Sequence, residues 1–468
     1  MTAPATAAQG DAVVIDPTPL FEISPWLYMQ FMEPLGVTDG SVAAAWDDDA
    51  DDWREDFVEA LRDLAPGAIR FGGLFSRYYK WREGIGPRAQ RPAMRNHVWG
   101  GWETNRVGTD EVVDLCRRVG AEPFFCVNFL SDGETRYGAR AGDASEAAAW
   151  VRYAGLDLWQ IGNETSYGAS CFTKAEAIAH TRAFAVAMRQ ARPSIRLIAW
   201  GDRGRDGALW ARDMEEQAGD LIDFIAIHMM GQHPARPDSV LHGLRYEQDP
   251  ARAWDELLAL SDAVERRVTE IEEATRKPVA ITEGHLSLRP HNVNPILNEW
   301  LSAPYHARSM NIYQRHGARI RMAATADLQG NRWTTTAIMT PTPRGRSYLT
   351  PAGSIARLFG RHTGARAVAV TAAPAGLDIA ASRTGDRLFL HVANLLYDRA
   401  VEARFPGTTG GRVFEIAPDN PRRYVNEDQP DVFRPREWAL TSGAWRFPAG
   451  SVSVVELDRA PEGGSSPL

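Results

Sequence analysis

The chain has 468 residues with 44% hydrophobic and 24% charged side chains, the balance of an ordinary soluble globular protein. That length exceeds what one hydrophobic core usually supports, so two domains are expected. The formal net charge of −8 leaves no basic footprint for nucleic acid, and no stretch approaches the ~20 apolar residues that span a bilayer.

Taken in chain order, the first 16 residues are small and polar, with neither a basic nor an apolar leader segment, so a cytoplasmic location with reduced thiols is expected. Short apolar runs then alternate with helical patterns. The strand candidates are Leu27–Phe31, Ala68–Phe71, Pro123–Asn128, Leu156–Gly162, Ile195–Gly201, Phe224–His228, Val279–Glu283 and Met322–Leu328. Asp52–Leu64, Thr109–Val119, Ala175–Ala191 and Ala253–Ala274 carry apolar residues at helical spacing. Strands that are apolar throughout, in eight strand–helix alternations, predict a closed parallel (β/α)8 barrel. The acidic run Asp47–Asp52 reads as a solvated start to the first of these helices.

After Gly364 the pattern becomes all-β. Leu377–Ala381, Arg387–Ala393, Ala400–Arg404, Gly411–Ile416, Ala444–Phe447 and Ser451–Leu457 read as short strands of a sandwich. The expected layout is a barrel over 23–350 and a sandwich over 351–460. Segment 1–22 is expected to pair with that sandwich through Asp11–Ile15, and 461–468 to be a disordered tail. Cys116, Cys126 and Cys171 have no framework spacing, and Cys126 reads as a buried thiol.

Two strand ends carry chemistry. Trp159-Gln160-Ile161-Gly162-Asn163-Glu164 ends strand four in a glycine followed by an amide and a carboxylic acid, and Val279-Ala280-Ile281-Thr282-Glu283-Gly284 ends strand seven in a glutamate. One glutamate at a strand end is more often a solvated or salt-bridged group. A pair on opposite sides of a barrel mouth matches the two carboxyl groups, about 5–5.5 Å apart, of a retaining glycosidase. His228 alone reads as a core histidine, and His228, His233 and His285 lack zincin spacing, so no metal is expected. No nucleotide-binding glycine motif or GxSxG elbow follows a strand, and no cofactor is expected.

The Gly162-Asn163-Glu164 motif with its second glutamate resembles the clan of retaining glycosidases built on (β/α)8 barrels. Within it the chain resembles the α-L-arabinofuranosidases of glycoside hydrolase family 51. The likeness is carried by Ile23-Ser24-Pro25-Trp26-Leu27-Tyr28, Gln30-Phe31-Met32-Glu33, Arg70-Phe71-Gly72-Gly73 and Trp81-Arg82-Glu83-Gly84-Ile85-Gly86-Pro87-Arg88. It continues through Trp99, Glu103-Thr104-Asn105-Arg106-Val107-Gly108-Thr109-Asp110-Glu111, Leu328-Gln329 and Leu349-Thr350-Pro351, and into the sandwich at Val392-Ala393-Asn394-Leu395 and Pro448-Ala449-Gly450-Ser451-Val452.

The resemblance implies Glu164 as acid/base and Glu283 as nucleophile, with Asn163 on the sugar 2-hydroxyl and Glu33 and Gln329 on further hydroxyls. It also implies Arg70 compensating the nucleophile's charge, Trp99 in the pocket wall and His228 near Glu283. The substrate class is then an oligosaccharide or glycoside, and a homo-oligomer is implied. The chain departs from the family pattern at Leu74 (usually Asn), Pro34 (usually His), Met229 and Met230 (where a Tyr usually follows the strand-six His) and Gly284-His285 (usually Trp-Asn). The expected activity is exo-acting, retaining release of a terminal furanose, foremost α-L-arabinofuranose. A related glycosidase such as a β-D-galactofuranosidase and a non-catalytic sugar-binding barrel are the alternatives.

Overall fold

The computed structural model describes residues 10–131, 133, 142–167, 172–232, 234, 236–342 and 345–459. Eight parallel strands follow one another round a closed sheet: Tyr28–Met32, Ala68–Phe71, Glu122–Val127, Leu158–Ile161, Arg196–Trp200, Phe224–Gln232, Val279–Ser287 and Ile320–Gly330. Closure comes from strand eight, which pairs with both strand seven and strand one. Along each strand successive side chains point alternately into the barrel and out to the helices. Met29, Ala68, Phe124, Leu158, Phe224 and Ala280 belong to the interior cluster, while Ile69, Phe125, Trp159, Ile225 and Ile281 pack in the outer one. Both faces are buried, which is why the strands read as unbroken apolar runs.

The helices form where that outer layer needs a cover. Glu55–Leu64 buries Phe57, Val58, Leu61 and Leu64, and Thr109–Val119 buries Val112, Leu115 and Cys116. The latter begins with the Glu111 carboxylate accepting the Gly108 N–H at 2.9 Å and stops at Gly120, whose φ of 76° is left-handed. The acidic run does not start a helix. Trp46–Asp47 and Asp52–Trp53 pair as a short hairpin, and the helix begins only at Glu55, because Trp46 and Trp53 pack edge to face at 5.5 Å and pull the run into a turn. Asp48, Asp51 and Asp52 then pair with Arg106, Arg88 and Arg118.

Residues 351–361, grouped with the sandwich by the sequence pattern, form the helix Pro351–Arg361, which packs on the barrel. Thr350 Oγ1 caps it by accepting the Gly353 N–H at 3.3 Å, and Pro351 supplies its first turn. Beyond it lies a seven-stranded antiparallel sheet. Its strand order is Val14–Glu22, Arg366–Ala372, Leu377–Thr384, Arg387–Asn394, Val452–Arg459, Thr408–Ile416 and Arg436–Leu440. A two-stranded sheet, Val401–Arg404 with Ala444–Phe447, completes the sandwich, and Val13, Val368, Leu390, Val413, Phe447 and Val455 share its core. Val13 N–H donates to the Arg404 carbonyl at 2.8 Å, so the N-terminal segment reaches both sheets. Arg366–Ala372 and Arg436–Leu440 have no counterpart in the sequence reading. The first mixes small alanines with Val368 and Val370 and is only partly buried, and the second is almost wholly exposed.

Sandwich and barrel are joined through Trp254 Nε1 to the Leu395 carbonyl and Trp300 Nε1 to the Gly450 carbonyl, both at 2.8 Å. Cys116 and Cys126 are buried free thiols. Cys171, His233 and residues 461–468 lie outside the described residues. Among the described residues no helix is long and apolar enough to cross a membrane.

Candidate active site

The same alternation that points Ala68, Leu158, Phe224 and Ala280 into the barrel carries a polar layer toward the mouth. Two residues beyond Ala68 and Leu158 come Arg70 and Gln160, and two beyond Ala226 comes His228. Strands six and seven slip register between Ile227 and His228, so that His228 lies opposite Glu283.

Arg70 is fully buried and serves as the hub. Its Nη1 donates to Glu283 Oε1 at 2.9 Å, its Nη2 to Asn163 Oδ1 at 2.5 Å and its Nε to Gln160 Oε1 at 2.7 Å. Each of these is a charge-assisted hydrogen bond in a dry setting, which orients the nucleophile candidate and the amide together. His228 Nδ1 lies 2.9 Å from Glu164 Oε1 and 3.5 Å from Glu283 Oε2. One ligand atom from each of Glu164, His228 and Glu283 falls within 4.8 Å of the others. Donors on one tetrahedral zinc would approach each other to roughly 3.5 Å, and the Arg70 guanidinium on Glu283 opposes a second cation. His228 thus bonds one carboxyl and Arg70 the other, with the imidazole beside both.

Burial alone would raise the Glu164 carboxyl. The hydrogen bond with His228, aided by the charges of Arg77 and Arg70, outweighs it and holds the group below its ordinary range. Glu33 behaves oppositely. Burial, reinforced by the negative charge of Glu283, pushes it well above the usual carboxylate range. Its Oε1 accepts both Trp99 Nε1 at 2.8 Å and the Phe75 N–H at 3.0 Å. Gly73, with φ at 107°, makes that seat possible, since a Cβ there would lie 2.2 Å from the Glu33 carboxyl.

Trp99 meets Trp333 edge to face at 5.5 Å, and Trp333 meets His291 in the same way at 5.5 Å, forming an aromatic wall. Gln329 is buried at the end of strand eight with neither amide atom hydrogen-bonded within the protein, and Asn163 Nδ2 and His228 Nε2 are in the same condition. Buried polar atoms without partners at a barrel mouth are the groups a polyhydroxylated ligand would satisfy.

Seven of the eight residues singled out from sequence are therefore tied together at one mouth, and Gln329 lies near the end of strand eight. The departures have structural settings. A Cβ at Gly284 would lie 2.2 Å from the Ala324 carbonyl, so this backbone admits no tryptophan there. Pro34 is buried and its carbonyl accepts Asn96 Nδ2 at 3.1 Å, Met229 is buried, and Leu74 and Met230 are half-buried. Sequence reasoning missed the His285–Asp327 pair (Nδ1 to Oδ1, 2.8 Å), in which burial would lower the imidazole but Asp327 raises it. It also missed Asp202, which follows strand five. Asp202 is fully buried and accepts Tyr167 Oη at 2.7 Å, the His228 N–H at 3.0 Å and Arg267. A signal was available: Gly201-Asp202 follows a strand as Gly162-Asn163-Glu164 does.

Comparison with known proteins gives the same picture. Residues 60–157 match the family model described as the alpha-L-arabinofuranosidase 1 domain. A probable alpha-L-arabinofuranosidase C of Aspergillus fumigatus is 32% identical over 210 residues, covering 39% of this chain and 40% of the relative. An intracellular exo-alpha-(1→5)-L-arabinofuranosidase of Halalkalibacterium halodurans is 24% identical over 352 residues, 66% of this chain and 67% of that one. The matched stretches span about half or less of the length of the Aspergillus and Emericella relatives, from 40% to 51%. Among solved structures, an alpha-L-arabinofuranosidase of Thermotoga maritima in an arabinose complex superposes with a TM-score of 0.72 at 24% identity, over 95% of this chain and 99% of that one. The family 51 arabinofuranosidase of Xanthomonas axonopodis pv. citri gives 0.76 at 20% identity, over 94% and 98%. The chain is arabinofuranosidase-like in sequence and shares the barrel-plus-sandwich fold.

Proposed function

We propose that the protein is a retaining glycosidase that releases a terminal α-L-arabinofuranosyl residue. The observation that carries this reading is the pairing of Glu164 with Glu283 within 4.8 Å, one of them held by Arg70. Retaining enzymes set their carboxyl groups about 5–5.5 Å apart and inverting ones roughly 6.5–9.5 Å, to admit a water, and oxygens of this pair within 4.8 Å of each other support the retaining reading. Glu283 attacks the anomeric carbon while Glu164 donates a proton to the departing oxygen. Glu164 then takes a proton from water, which attacks the glycosyl ester and frees Glu283.

The pair must hold one proton at the start, yet His228 keeps Glu164 low in the free site. A glycosidic oxygen arriving at Glu164 displaces the His228 contact. Burial then governs and favours the protonated acid. Asn163 Nδ2 and the Gln329 amide supply hydrogen bonds to sugar hydroxyls, and Trp99 with Trp333 forms the wall. Similarity to an exo-acting relative and to other α-L-arabinofuranosidases supports the choice of sugar. The test is a panel of 4-nitrophenyl glycosides followed by proton NMR of the first-formed sugar. Arabinofuranose released as the α-anomer is expected. Initial release of the β-anomer would refute retention, and cleavage of a β-D-galactofuranoside alone would replace the substrate.

A further inference from the structure

We propose that Arg77 is the positioning residue of the acid/base turn, its guanidinium holding the backbone that aims Glu164. Arg77 ends the single 3-10 turn Leu74–Arg77 that follows strand two. Its Nε donates to the Asn163 carbonyl at 3.2 Å, and its Nη2 to the carbonyls of Glu164 at 2.6 Å and Tyr167 at 3.4 Å. One planar fork thus spans the whole segment carrying the acid/base candidate. The segment needs such a clamp, because Glu164 has φ at 49°. A non-glycine residue in the left-handed region persists only where its surroundings over-determine it.

Other bonds tie the turn at different points, among them Tyr167 Oη to Asp202 at 2.7 Å. Tyr167 N–H closes on the Glu164 carbonyl at 2.9 Å, Ser166 Oγ donates to the Arg203 carbonyl at 2.6 Å, and Trp200 Nε1 donates to Ser166 Oγ at 2.8 Å. Those bonds hold the far end of the turn against strand five. Arg77 alone among them grips the carbonyls of Asn163 and Glu164 by side chain, and it adds a positive charge beside the Glu164 carboxyl. Lysine could supply the charge but not a rigid fork reaching three carbonyls.

The groups facing Glu164 are Arg70 from strand two, Arg77, Tyr167 from its own turn, His228 from strand six, and Glu283 and His285 from strand seven. Removing Arg77 withdraws one cation from this set, so the Glu164 carboxyl rises. Protonated Glu164 is the form the first step needs, so the basic limb of kcat/KM should move to higher pH. The misaimed carboxyl should meanwhile cost most where the leaving group depends on a proton.

This inference rests on the glycosidase reading above. The experiment compares the unaltered protein with Arg77→Met and Arg77→Lys on 4-nitrophenyl and methyl α-L-arabinofuranoside. For Arg77→Met we expect kcat on the methyl glycoside to fall about 10- to 100-fold, part of the 10²–10⁴ of a working general acid. The nitrophenyl glycoside should lose about threefold or less, because a good leaving group needs little protonation. KM should stay within about twofold, the basic limb should rise, and added guanidinium should restore part of the methyl glycoside rate. Arg77→Lys, which preserves charge and folds more readily, should keep the basic limb but show the same preference for the activated substrate. Equal losses on both substrates, or a loss confined to KM, would overturn the assignment while leaving the glycosidase reading intact. An unaltered protein that cleaves neither substrate would overturn both.

Discussion

Replacing Glu164 by alanine separates the two chemical steps. In the structure the carboxyl of Glu164 touches His228 Nδ1, whereas Glu283 is held by Arg70 at 2.9 Å, and Arg70 is itself held by Gln160 and Asn163. The substitution therefore leaves the setting of Glu283 intact. General acid–base assistance contributes about 10²–10⁴ in rate, or about 3–5 kcal/mol at 1.36 kcal/mol per tenfold. With 4-nitrophenolate leaving, the first step keeps most of its rate, while water attack on the glycosyl ester loses its base and slows by that full factor. The intermediate accumulates, so kcat and KM fall together. A burst of nitrophenolate in stopped-flow absorbance should precede slow turnover. Azide needs no base and can enter the space vacated by the Glu164 carboxyl beside His228, where it should restore turnover and yield a glycosyl azide of retained configuration. A Glu164→Ala protein with no burst, no azide response and equal losses on all leaving groups would refute the role. Formation of that retained azide by Glu283→Ala would reverse the two assignments.

Gly73→Ala should cost at least about 10-fold in kcat/KM. It forces a Cβ to 2.2 Å from the Glu33 carboxyl at a left-handed φ, and an unchanged kcat/KM would show that Glu33 has no part in the site. His391 is buried beside Tyr28, 4.1 Å above Phe359, and burial holds it at about 3. Its contribution to stability is complete above the unfolded value of roughly 6.5 and is lost as pH falls from there toward 3. Urea titrations of His391→Gln from pH 7 to pH 4 should show a shallower loss than the unaltered protein, by on the order of a few kcal/mol. Equal slopes would exclude His391 as the acid-sensitive group. Leu74 and the two methionines after His228 cannot hydrogen-bond a sugar, and an unpaired hydroxyl costs about 1–3 kcal/mol. Kinetics on 4-nitrophenyl α-L-arabinofuranoside should give kcat/KM below about 10⁵ M⁻¹s⁻¹, and a value above that ordinary range would show the substitutions to be neutral.

Asn163 and Glu164 beyond strand four, and the strand positions of Arg70, His228 and Glu283, were legible because barrel strands are short apolar runs that turn polar toward the mouth, although strands six and seven run past His228 and Glu283 to Gln232 and Ser287. That local pattern needs no knowledge of partners, since burial on both faces imposes it on each strand independently. What the pattern cannot carry is distance between segments far apart in the chain. Arg70 and Glu283 are 213 residues apart yet 2.9 Å in space, and only closure of the sheet through strands eight and one brings them together. The same holds for Arg77 on the Glu164 turn and for His285 with Asp327, whose residue types are unremarkable where they stand. Two strands of the sandwich escaped notice for the converse reason, Arg366–Ala372 within the sheet and Arg436–Leu440 at its edge: backbone pairing by hydrogen bonds imposes little hydrophobic pattern where side chains are small or exposed. Which side chains point into the barrel follows from local order along each strand, because alternation is a local rule. The closed sheet decided which of them meet, and with what charge beside them, because burial and Coulomb interaction depend on neighbours that only tertiary structure supplies.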